Sequence, residues 1–150
     1  MRTRLTQKAF EEAALPLVES MGLTLWGVEY LPAGRKSILR IFVDDPSKGA
    51  AHDNSDEGPG GVLLDQCAQV SRHLSVLLDA EDLVPGSYTL EVSSPGLRRP
   101  FFHLGQLEGY LGREVELALT EPVLSGDDPG RKRFAGRVES VDADTGAFRL

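Results

Sequence analysis

The sequence predicts an α+β protein in two parts: an N-terminal two-layer α/β domain with the element order α-β-β-α-β, then a small SH3-like β-barrel. Three observations carry this reading. Apolar residues recur at helical spacing in two well-separated stretches, 5–21 and 63–78. Short alternating runs lie between and after them. A Ser-Ser-Pro-Gly turn at 93–96 is followed by nothing but short strand-like segments with polar turns.

In the first stretch Leu5, Ala9, Ala13, Leu17 and Met21 recur every four positions, and Phe10, Ala14 and Val18 widen the stripe. Thr3 or Thr6 is the expected N-cap, Gly22 the expected left-handed terminator, and Pro16 is expected to bend the helix. Residues 23–31 read as a strand with Trp26, Val28 and Tyr30 on one side, although Leu25 blurs the alternation. After the turn at Pro32, Ala33 and Gly34, residues 37–44 read as its antiparallel partner, with Leu39, Ile41 and Val43 on one face and Arg40 and Asp44 on the other.

Residues 45–61 have turn residues and no periodicity, and read as a mobile insertion. The second helix carries Leu64, Cys67, Val70, Leu74, Leu77 and Leu78 on one stripe, with Asp65 in its first turn and no good cap near Leu63. A third strand, 87–93, points Tyr88, Leu90 and Val92 one way. Beyond Pro100 come a short segment at 104–111 and strand-like runs at 114–119, 134–141 and 147–150, with a polar hairpin loop at 126–132. The domain limits are therefore 1–95 and 101–150, with a hinge at 96–100 entered through the turn formed by Ser93, Ser94, Pro95 and Gly96.

Composition narrows the functions. The 150-residue chain carries 16 basic and 23 acidic side chains, a net charge of -7. Residues 1–100 hold 10 basic and 14 acidic groups, and residues 101–150 hold 6 and 9, so neither part is a basic module. Indiscriminate binding to a phosphate backbone draws on counterion release by Lys and Arg, so any RNA contact has to be local. No run approaches the length of a membrane span, and Gln7, Lys8, Glu11 and Glu12 interrupt the N-terminal stretch, so a soluble, cytoplasmic protein is expected. The single cysteine, Cys67, excludes an intrachain disulfide and a cysteine-based zinc cluster.

No enzymatic constellation stands out. The acidic group Asp44, Asp45, Asp53, Asp56 and Glu57 lacks the ligand spacing of a calcium loop and reads as a solvated loop. His52, His73 and His103 are scattered. Cys67 sits on an apolar stripe, where packing explains it better than nucleophilicity. Ser93 and Ser94 lack the flanking glycines of a nucleophile elbow. Gly58, Gly60 and Gly61 lie before a helix but beside Glu57 and Asp65, which oppose an anion. No metal or cofactor is expected. The basic pairs and triplet Arg35-Lys36, Arg98-Arg99 and Arg131-Lys132-Arg133 are the candidate phosphate contacts, against the plain alternative that charges at hairpin tips face water.

Two strings, Gly61-Val62-Leu63-Leu64-Asp65-Gln66-Cys67-Ala68-Gln69-Val70-Ser71-Arg72 and Tyr88-Thr89-Leu90-Glu91-Val92-Ser93-Ser94-Pro95-Gly96-Leu97-Arg98-Arg99-Pro100, resemble the ribosome maturation factor RimP family. Gly27-Val28-Glu29-Tyr30 and residues 39–44 are similar as well, so the resemblance runs along nearly the whole chain. It implies a cytoplasmic, non-enzymatic assembly factor that binds the immature small ribosomal subunit, touching 16S rRNA and a basic small-subunit protein near the decoding region. A monomer without membrane association is expected. Arg98, Arg99, Pro100, Arg131, Lys132 and Arg133 are the expected partner contacts. The alternative is an SH3-like protein-interaction module with no ribosomal role. Arg98 stands where the family has an acidic residue, the 46–60 loop is longer than usual, and the barrel is expected to lack its last strands.

Overall fold

The computed structural model describes residues 2–46, 64–96, 99–123 and 130–150. The protein is a mixed α+β chain that separates into two units, Met1–Pro100 and Phe101–Leu150.

In the first unit, helix α1 (Arg2–Ser20) precedes strands β1 (Thr24–Leu31) and β2 (Lys36–Asp44), and helix α2 (Leu64–Ala80) precedes β3 (Ser87–Ser93). The strands form one sheet in the order β1-β2-β3, with β1 antiparallel and β3 parallel to β2. A parallel neighbour needs a crossover, and α2 lies in the connection between β2 and β3. Helix α1 starts before Thr3 and Thr6, which places both inside it and corrects their assignment as caps. It runs through Pro16 and ends as expected. Gly22 takes φ +73°, and the N–H of Leu23 donates to Val18 O at 3.2 Å, closing the last turn.

The core lies between the helices and one face of the sheet. Phe10, Ala14 and Val18 of α1 and Cys67, Val70, Leu74 and Leu78 of α2 pack on Val28, Leu39, Ile41 and Val43. Each fully buried aliphatic side chain contributes about 1.5–3 kcal/mol, so this layer contact dominates the unit's stability. Alternation in β1 breaks at a bulge between Leu25 and Gly27. Leu25 pairs with Val43 and faces the core with Val28 and Tyr30, while Trp26 is displaced to the outer face. That corrects the grouping of Trp26 with Val28 and Tyr30. The outer face is polar across its centre, where Arg40 lies 2.7 Å from Glu91 and 3.4 Å from Glu29, so one cation ties all three strands.

The second unit begins with a 3₁₀ helix, Leu104–Tyr110, whose Gln106 side-chain oxygen accepts hydrogen bonds from the N–H groups of Phe102 (2.7 Å) and His103 (3.3 Å). Strands β4 (Glu114–Val123) and β5 (Arg131–Arg137) form one antiparallel pair, and β6 (Ser140–Asp142) and β7 (Ala147–Arg149) another. The single strand expected over 134–141 is two. At Val138 the backbone changes partners: its N–H donates to Arg113 O and its carbonyl accepts from Gly112, whereas the next N–H, of Glu139, donates to Arg149 O. Val138 is buried beside this switch, and Leu150 packs so closely on Gly136 that a Cβ there would sit 2.9 Å from the leucine Cβ. Among the described residues the two strand pairs do not close into a barrel. Strand β5 also starts at Arg131, so Arg131 and Lys132 are strand residues and not part of a hairpin loop; of the rest of that expected loop, Gly130 precedes the strand with φ +95° and residues 126–129 lie outside the described residues.

Candidate functional site

Nothing in the described residues gathers catalytic groups. No cluster of three or more His, Cys, Asp or Glu side chains able to hold a metal ion occurs among them. Asp53, Asp56, Glu57, His52 and the glycines at 58, 60 and 61 lie outside the described residues, and of the acidic group only Asp44 and Asp45 are placed. His73 and His103 are exposed. Cys67 is buried in the helix-sheet core, and burial pushes its thiol pKa up, away from thiolate chemistry. Ser94 is a turn former: its Oγ accepts the Gly96 N–H at 3.3 Å, and Gly96 takes φ +74°. Pro95 is buried, and Ser93 is the last residue of β3, paired with Phe42.

The most structured polar site follows that turn. The Arg99 guanidinium places Nη1 2.8 Å from Asp44 Oδ2, its Nε donates to Gly96 O at 3.0 Å, and its plane covers the Trp26 ring at 4.6 Å. Trp26 Nε1 in turn donates to Pro100 O at 2.8 Å. The arginine side chain is only 6% exposed and that of Asp44 19%. Three of the guanidinium's interaction directions are thus satisfied inside the first unit. Through these contacts Gly96, Arg99 and Pro100 are tied to the end of the sheet, and Arg98 lies outside the described residues. The bulge in β1 explains the site, since it brings the tryptophan to the face where Asp44 also points.

In contrast, Arg131, Lys132 and Arg133 are all exposed on β5. Arg131 donates through Nε to the Arg133 carbonyl at 2.8 Å and lies 5.2 Å from the centre of the Phe134 ring, which stiffens the strand end without neutralising it. Arg133 stands opposite Ala118, whereas Arg137 stands opposite Glu114. Among the described residues Arg131, Lys132 and Arg133 form no ion pair. Arg35, exposed, and Lys36 sit at the β1-β2 tip as expected.

Sequence reasoning missed Trp26 and Asp44 as members of the Arg99 site. Their only signal was the disturbed alternation at Leu25, since 55 residues separate Asp44 from Arg99. It also missed the Glu29-Arg40-Glu91 bridge, which becomes visible only when the strand register is known.

Comparison with known proteins accounts for most of the chain. The family profile described as the RimP N-terminal domain matches residues 13–98. Proteins called ribosome maturation factor RimP from Nitratidesulfovibrio vulgaris strains DP4 and Hildenborough are 44% identical over 138 residues, covering 92% of this chain and 71% of theirs. The protein of the same name from strain Miyazaki F is 40% identical over 163 residues, covering 99% and 71%.

Proposed function

The chain belongs to the RimP family of ribosome maturation factors, and from that premise we propose that it acts in ribosome biogenesis as a binding factor for the immature small (30S) subunit. In this reading it is a cytoplasmic, non-enzymatic monomer that contacts 16S rRNA and a basic small-subunit protein near the decoding region. Residues 1–95 form the α/β domain, the 96–100 segment leads out of it, and residues 101–150 contribute to an SH3-like barrel. The change of partner at Val138, between β5 paired with β4 and β6 paired with β7, supports the barrel reading.

The observation that carries the proposal is the exposed cationic start of β5, which forms no ion pair among the described residues, on a chain of net charge -7. Arg131, Lys132 and Arg133 stand on a hydrogen-bonded strand, so their backbone is ordered before binding and little of that entropy is lost on contact with phosphate. Arg98 joins this set on the sequence alone. The test is co-sedimentation with purified small subunits across a salt series. Replacing all three β5 cations by Gln lowers affinity and reduces the slope of log affinity against log salt by about 2, while Arg35→Ala changes neither. Identical slopes for the triple variant and the parent would remove these residues from the interface.

A second reading, a peptide-gripping module without a ribosomal role, draws on a groove in the second unit lined by Phe101, Phe102, Leu104, Leu107 and Phe148. Failure to co-sediment with small subunits at low salt would favour it.

A further inference from the structure

We propose that the groove between α1 and the C-terminal end of α2 is a docking site for a lysine- or arginine-rich segment of a protein partner, an inference that rests on the binding role assigned above and gives its protein arm a surface. The groove encloses about 490 Å³. Ala9, Ala13 and Pro16 keep the α1 wall low, and Leu17, Leu77 and Leu83 supply an aliphatic floor. Such a floor suits the methylene stem of a Lys or Arg side chain, which buries its carbons while its charged head stays at the edge.

The edge provides acceptors for that head. Glu12 and Glu81 line the groove from opposite walls. Glu12 is exposed and lies 3.8 Å from Lys8 across a solvated turn, a pairing weak enough to exchange for a partner's cation. Pro16 has no N–H to give the Glu12 carbonyl, so the helix leaves one further acceptor in the same wall. The surroundings have the same sign. Residues 7–23 and 64–83 carry seven carboxylates and two cations, Lys8 and Arg72. Neither α1 nor α2 has a basic residue in its last turn, so the negative ends of both helix dipoles go uncompensated within their own helices. This field repels phosphate and attracts a cationic peptide, which selects protein over RNA as the occupant.

The test is an NMR titration of the whole chain with a short amidated peptide of lysines interspersed with leucines, alongside its glutamate counterpart and oligouridylate. The expected result is saturable shifts at Ala9, Ala13, Leu77 and Leu83 with the lysine peptide alone. Glu12→Gln and Glu81→Gln each weaken binding roughly threefold at low salt, and together about tenfold. Ala13→Phe, which fills the groove from its wall, also abolishes the shifts while the sheet resonances stay in place. Shifts that map elsewhere, or indifference to both the Gln and Phe variants, would overturn the proposal. So would equal perturbation of these residues by oligouridylate, or self-association that Ala13→Phe removes, which would assign the groove to RNA or to a second copy. Because the titration contains no ribosomal particle, its failure leaves the small-subunit reading to stand or fall by co-sedimentation.

Discussion

Arg99→Met tests whether the residues after the Ser-Pro-Gly turn are fastened to the sheet. The substitution keeps most of the aliphatic volume and removes the guanidinium, so the losses are countable. The 2.8 Å bond to Asp44 is charge-assisted and mostly shielded from water, which makes it worth about 1.5–3 kcal/mol. Cover of the Trp26 face at 4.6 Å adds about 0.5–1 kcal/mol. Asp44 keeps some access to solvent and recovers part of its lost partner as water, so the sum is an upper bound near 4 kcal/mol, with about 2–3 kcal/mol expected. Trp26 is the single tryptophan, which makes its fluorescence a direct report on this site during urea unfolding. With a slope of about 1–1.5 kcal/mol per molar urea for a unit of this size, the midpoint falls by about 2 M, and native emission shifts to the red as the ring loses its cover. Arg99→Lys recovers only part of the loss, because an ammonium lacks the fork that reaches Asp44 and the Gly96 carbonyl together. Arg35→Ala, at an exposed hairpin tip, is the control and stays within about 0.5 kcal/mol of the parent. A midpoint for Arg99→Met equal to that of the control would refute the latch.

Two further outcomes follow from the titration chemistry. The Asp142 carboxyl is held below its ordinary value of 3.8, first by the Thr145 backbone N–H and then by the Thr145 hydroxyl. A lowered folded-state pKa means that its contribution is present above the ordinary value and is lost as pH falls through the lowered one. The Asp144 and Thr145 amides, each 3.1 Å from Asp142 Oδ1, therefore shift together on acidification, and Asp142→Asn abolishes the step. A pH-independent Thr145 amide in the parent would contradict the turn. For Cys67, burial raises the thiol pKa, so iodoacetamide modifies it orders of magnitude more slowly than free cysteine, with a rate that climbs in sub-denaturing urea. Modification as fast as that of a model thiol would place it outside the core.

The core was legible in the sequence because burial and periodicity are the same fact seen twice. Residues 67, 70, 74 and 78 repeat at helical spacing and 39, 41 and 43 at strand spacing, and all are buried; in the first helix the buried set is 10, 14 and 18, one position on from the leading stripe of 9, 13, 17 and 21. What periodicity does not encode is a change of phase. The bulge at Trp26 adds one residue, and every face assignment before it reverses, which is why Leu25 looked like noise and Trp26 like core. The second unit was less legible because its strands are short and half-exposed: among its described residues only Leu107 and Val138 are buried hydrophobics, so little apolar pattern exists to read. The start of β5 was hidden for a different reason. Arg131, Lys132 and Arg133 have loop-like polarity, yet Arg133 pairs with Ala118 in the ladder, and backbone hydrogen bonding is indifferent to whether the exposed side chain is charged.

The proposed binding role also explains how an acidic chain works on an RNA particle. Two of its cations are committed internally on the sheet, Arg99 to Asp44 and Arg40 to two glutamates. The exposed triplet at 131–133 then supplies up to three phosphate contacts. Three contacts give a salt slope of about -2 to -3, so affinity changes some 20- to 50-fold between 50 and 200 mM salt, far less than for a basic domain making twice as many or more. A small electrostatic contribution limits non-specific capture by finished RNA, and the remaining specificity must come from protein contacts, for which an acidic surface is suited. The internal ion pairs thus do more than fasten strands. By pairing Arg40 and Arg99 with carboxylates they keep the RNA-directed charge local, and adding cations to the helical layer at Glu12 or Glu81 is expected to raise RNA binding at the expense of discrimination.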